Sequence, residues 1–201
     1  MVNVFRSAVV AVVLTLAQPV AGTAQTPDVI PSSPDVIPSF RVAIQVDALA
    51  DFTVRVDAYS ELRRGIEERL PEVTVTDDVR QIWLARRSLA RAIRGVRVGA
   101  IQGEFFTPAT STQLHLVLGR VVDTAMCEVI MDGNPGRFSH AIDGSYPDGK
   151  TFSTMPGLLL ARLPGLPDDI QYRFVGRYLI LYDVRANTII DRMPNAIRCR
   201  D

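Results

Sequence analysis

The apolar residues of this chain change their repeat once, and that change limits the fold more than any motif does. Up to Val129 they recur every three to four residues, the spacing of helices with one buried face. From Gln171 to Met193 they crowd into three short runs rich in β-branched and aromatic side chains, parted by Gly176-Arg177 and by Arg185-Ala186-Asn187. Helices come first and strands last, so a parallel βαβ arrangement is excluded. The pattern predicts an α+β domain in which three main helices precede a small three-stranded antiparallel meander. A sheet that small needs helices packed on a face of it.

The first helix is predicted over Phe40 to Leu70, with Val42, Val46, Leu49, Phe52, Val56, Tyr59, Ile66 and Leu70 on its apolar side and Pro71 ending it. Phe40, Val42, Ile44 and Val46 also alternate as a strand would, but the helical repeat runs further. The second helix begins with a cap at Thr76 or Asp77 and stops before Gly95. Its apolar face is Val79, Ile82, Trp83, Leu89, Ala90 and Ile93. Arg80, Arg87, Arg91 and Arg94 form one narrow basic stripe beside that face. Arg86 projects from the middle of the apolar face, where a structural ion pair with a Glu or Asp of the first helix is expected. The third helix opens at Thr107-Pro108 and runs through Leu114, Val117, Leu118, Val121, Val122 and Ala125 to Val129. Residues 132 to 154 are rich in Gly, Pro, Ser and Asp and read as a long loop. A short helix, Leu158 to Leu163, lies between two prolines.

The start of the chain speaks of destination. Arg6, an uncharged apolar run from Ser7 to Ala17, and small residues ending at Ala24 have the order of a cleaved secretory signal, 1–24. The apolar run is half the length of a bilayer span. Residues 25–39 carry the six residues Pro27 to Ser32 twice, the second time from Pro34 to Ser39, an extended proline-rich spacer. The single domain then occupies 40–201. Export places the protein in the periplasm or outside the cell. Of 22 basic and 22 acidic residues the leader removes only Arg6, so the mature chain has one acid in excess. That balance argues against nucleic acid as a partner. In an oxidising compartment Cys127 and Cys199 are expected to form a disulfide.

Motifs for chemistry are weak. Gly144, Gly149, Lys150 and Thr151 fit the spacing of a nucleotide-phosphate loop, but the residues before it are polar and Pro156 follows too soon for a helix. Two histidines, His115 and His140, leave no metal site with several His ligands, and no Cys pair is spaced for zinc. No cofactor is expected. His140 with Ser139, Asp143, Ser145 and Asp148 offers the residue types of a hydrolase within the 132–154 loop. The Arg80, Arg87, Arg91 and Arg94 stripe offers an anion-binding surface, for a phosphate, a lipid headgroup or an acidic partner.

One resemblance extends over the last part of the chain. Met155 to Leu159, Leu163-Pro164, Leu166-Pro167, Tyr172 to Arg177, Leu179 to Leu181, Asp183, Ala186 to Asp191 and Pro194 to Ile197 resemble the C-terminal block of a family of uncharacterised exported bacterial proteins. Gly103 to Pro108 is also similar. The family has no assigned activity, so the resemblance implies export and carries over no catalytic residue. The expectation is an exported binding or structural module, with an exported hydrolase centred on His140 as the alternative.

Overall fold

The computed structural model describes residues 37–71 and 77–199, with side chains from Asp47 onward. The leader, the spacer as far as Val36, and Thr76 lie outside the described residues. Helix α1 spans Ile37–Glu67, with Pro38 in its first turn. It therefore starts three residues ahead of Phe40, as a proline in the first helical turn permits. Ala48, Phe52, Val56, Tyr59, Arg63 and Ile66 are its buried positions among the described side chains, at steps of four or three. The alternating strand pattern near its start is overridden by this longer repeat.

Helix α2, Val79–Val96, is capped by Asp78, whose carboxylate accepts from the Arg80 amide at 2.9 Å. The cap is one residue later than Asp77. Gly95 lies inside the last turn, and the left-handed residue beyond the helix is Gly99, at φ 88°.

The long third helix divides. Helix α3 is Pro108–Val121 and α4 is Thr124–Met131. Val122 is extended, and Asp123 caps α4 by accepting from the Met126 amide at 2.8 Å. The break shifts the buried face, so Ile130 is enclosed while Val129 is 44% exposed. A short α5, Gly157–Leu160, follows the long loop.

Strands β1 (Ile170–Val175), β2 (Tyr178–Asp183) and β3 (Thr188–Met193) form an antiparallel meander in that order. The architecture is α+β, helices followed by a small sheet. Tyr172, Phe174, Leu179, Leu181, Ile190 and Met193 face the helices and join Phe52, Tyr59, Leu114 and Leu118 in the main core. Val175, Ile180, Tyr182 and Ile189 form the opposite face, which the 132–154 loop covers with Phe138 and Tyr146. The loop is held along β3: Asp143 N donates to Ile189 O, and Ile189 N donates to Gly144 O, both at 2.8 Å. Cys127 and Cys199 are joined by a disulfide, with Cα atoms 5.5 Å apart, which ties α4 to the segment after β3. No described helix is long and apolar enough to cross a membrane.

Candidate functional site

The 132–154 loop brings its chemical groups to different places. His140 lies between Phe138 and Tyr178, with ring centroids 6.1 and 4.3 Å away, and its Nδ1 is 2.7 Å from Phe138 O. Its Nε2 is buried without a partner among the described residues. Asp143 turns away toward Arg97, whose Nε reaches both carboxylate oxygens at 3.1 Å. Arg94 donates to the Asp143 carbonyl. Ser139, Ser145 and Asp148 are exposed. The residue types of a hydrolase are present, but no described hydrogen bond links an acid, a base and a nucleophile. Burial pushes the Asp143 carboxyl above its ordinary value, with Arg97 opposing the shift.

The phosphate-loop spacing has a structural explanation as well. Ser145 bridges to Thr188 of β3, and no helix begins at Thr151, the next being the four-residue α5 from Gly157. Gly144 is required because a Cβ there would stand 2.9 Å from Ala141 O. A phosphate site needs a helix N-terminus at this point, and none is present.

Two buried carboxylates organise the interior. Asp183 and Asp191 are both fully buried. Asp183 ends β2 on the helix side of the sheet, where it accepts from Tyr59 Oη at 2.8 Å and from the Ala186 amide at 2.9 Å. Arg63 lies 3.6 Å from it and spreads its other nitrogens to Asp169 and Glu67. Asp191 accepts from the amides of Gly103 and Phe105 at 2.9 Å and Phe106 at 2.8 Å. A bulge makes this contact. Tyr182 pairs with Ile189, and Leu181 pairs with Asp191, so Ile190 is the extra residue. The bulge turns Asp191 onto the helix-facing side with Leu181, where plain alternation would leave it beside Ile189. The Gly103 to Pro108 segment and the Ala186 to Asp191 segment therefore meet through one carboxylate. The sequence signal for Asp183 is an Asp closing an apolar strand, whereas Asp191 lies inside β3 and depends on the bulge.

Asp183 yields a testable pH dependence. Burial, the largest cause, raises its carboxyl above the ordinary 3.8, and the Ala186 amide, Tyr59 and Arg63 pull it back. The folded protein then holds this proton more tightly than the unfolded chain. The group's stabilisation is complete below its unfolded value and is lost as pH rises through the raised folded value. Asp183→Asn removes that proton uptake. Urea midpoints from about pH 7 down to about pH 4 should show the native protein gaining stability relative to the variant as pH falls. Parallel curves would contradict this.

Helix α2 presents the most open chemistry. Its 18 residues include five arginines and no acid. Only Leu89, Ala90 and Ile93 are buried, so Val79 to Ser88 overhangs the core. Val79, Ile82, Trp83 and Leu84 are 77%, 40%, 41% and 50% exposed. Arg80, Arg87, Arg91 and Arg94 are exposed along one side, and Arg87 stacks over Trp83 at 4.3 Å. Arg86 is exposed and makes no ion pair with a described carboxylate. The ion pair expected for it with the first helix is not formed. The reason is the overhang: the apolar face around Arg86 is not buried, so its guanidinium keeps its water.

Two open grooves flank the Asp191 turn. The larger, about 560 Å³, is lined by Gln102, Ser111, His115, Arg192 and Arg198 among others. The smaller, about 310 Å³, lies beside Tyr59, Arg97 and Glu104. His140 lines neither. Among the described residues no three His, Cys, Asp or Glu side chains gather as a metal-ligand set. No protein-family model, no curated protein and no solved structure matches the chain, so the reading of its function rests on the surfaces described above.

Proposed function

We propose that this chain is an exported binding module that acts through the overhanging half of α2, not through catalysis. The observation that carries the reading is the exposed row of Val79, Ile82 and Trp83 beside arginines on an acid-free helix. Such a face costs solubility and is retained where something covers it. Export is supported by the leader-like start and by the resemblance of the last 46 or so residues to an exported family. The Cys127–Cys199 bond fits an oxidising compartment. The scattered positions of His140, Asp143, Ser145 and Asp148 weigh against the hydrolase alternative.

The test is site-resolved photocrosslinking in producing cells. A diazirine amino acid is placed at position 83, and in a control chain at position 116, where Leu116 is 47% exposed on α3. Adducts are expected at position 83 and not at 116, in the fraction outside the cytoplasm. Equal labelling at both positions, no adduct at 83, or retention in the cytoplasm would overturn the reading.

A further inference from the structure

The geometry points to the surface of an anionic lipid bilayer as what the overhang of α2 binds, with Val79, Ile82 and Trp83 entering the headgroup boundary and Arg80, Arg86, Arg87 and Arg91 meeting lipid phosphates. This rests on the reading of α2 as the contact surface and names its occupant.

Three observations favour lipid. The first is geometric. At about 100° per residue, Val79, Ile82 and Trp83 continue the face that buries Leu89, Ala90 and Ile93, then run beyond the core for about 15 Å of helix. A dissolved anion has no use for that apolar row, whereas a bilayer boundary takes up an apolar face and a cationic one together. The second is charge. Among the described residues none of Arg80, Arg86, Arg87 and Arg91 makes an ion pair, so their charge is available for phosphate oxygens. Asp77 and Asp78 precede the helix, and Asp78 already caps it through the Arg80 amide. Arg94 and Arg97 bond to Asp143 and belong to the fold. The third is Trp83, the only tryptophan of the chain, 41% exposed and placed between the apolar row and the basic stripe. An indole has an apolar body and a polar N–H, which suits the wet edge of a membrane. Arg86, in the middle of the apolar row, can lay its stem along the acyl boundary and raise its guanidinium to the phosphates.

Because Trp83 is unique, its emission reports this helix and no other part of the chain, the apolar leader included. The full chain is titrated with vesicles of phosphatidylglycerol and phosphatidylcholine in equal parts, with vesicles of phosphatidylcholine alone, and with inorganic phosphate. Trp83 emission should shift to the blue on the anionic vesicles. Binding should be about 100-fold tighter there than on neutral ones at low salt, since each arginine near the surface contributes appreciably. Phosphate alone should leave the emission unchanged. Ile82→Ser should weaken binding to both kinds of vesicle. The triple variant Arg80→Gln, Arg87→Gln, Arg91→Gln should lose the preference for anionic lipid, and the corresponding triple Lys variant should keep it. All these side chains are exposed, and an unchanged far-ultraviolet circular dichroism spectrum confirms that the fold is intact. No blue shift on anionic vesicles, equal affinity for neutral ones, a response to phosphate alone, or full binding by the Gln variant would overturn the lipid assignment. Adducts at position 83 to protein in place of lipid would overturn it too, while leaving α2 as the contact surface.

Discussion

Asp191→Ala is expected to lower the unfolding free energy by about 3–5 kcal/mol, measured by urea or guanidinium titration. The carboxylate has no solvent exposure and holds the amides of Gly103, Phe105 and Phe106. Alanine leaves those donors without an acceptor, and a buried donor left unpaired costs about 1–3 kcal/mol. The loss should be local as well as global. Phe105 and Phe106 are buried, and Phe106 lies in a stack with Phe52, which also stacks on Tyr172 of β1. Releasing the turn loosens the seam between α1 and the sheet. Hydrogen exchange should therefore quicken at the amides of Phe105 and Phe106 before it quickens in α4. Asp191→Asn retains one carbonyl acceptor and should fall between the two. A loss below about 1 kcal/mol for Asp191→Ala would show that the amides find other acceptors.

Removing the disulfide is the second large effect. The bond joins residues 72 positions apart, which the chain-entropy model values at about 4 kcal/mol. The double variant Cys127→Ala, Cys199→Ala should lose about that much, and dithiothreitol should move the native protein's urea midpoint to the same place while leaving the variant's unchanged. The loop enclosed by the bond contains α5, all three strands and the whole 132–154 segment. The unfolded chain is thus constrained over the part of the molecule that carries the sheet. A native midpoint unmoved by reductant would refute this account.

Some of this structure is readable from residue order and some is not, for physical reasons. The meander is nearly complete in the sequence, because Gly176 and Asn187 mark turns that need positive φ and the runs between them contain β-formers. Helix α1 is legible in its repeat, although its first turn reaches back into the spacer. The break between α3 and α4 is not, since Val122 and Asp123 suit a helix until the Asp123 side chain takes the Met126 amide for itself. The role of Asp191 is hidden too, because it depends on a bulge that shifts the strand by one residue. The apolar repeat of α2 overstates its burial. Amphipathic spacing says which side of a helix is apolar but not where its support ends, and the core supports only the half from Leu89 onward. His140 illustrates the same limit for chemistry: the loop has the residue types, and packing sends Asp143 to Arg97 instead.

The contacts between the first half of the chain and the meander set an order of events. Tyr59 to Asp183, Arg63 to Asp169, and the Gly103 to Phe106 turn to Asp191 join positions 85 to 124 residues apart. The helices are synthesised first, yet Tyr59 Oη and the amides of Gly103, Phe105 and Phe106 meet their buried acceptors only when β2 and β3 arrive. Closing loops of that length is entropically unfavourable before any contact rewards it, so folding waits on the final segment and proceeds slowly. The emerging chain consequently stays loose and threadable for longer than a helical bundle would, a property that suits the export proposed above.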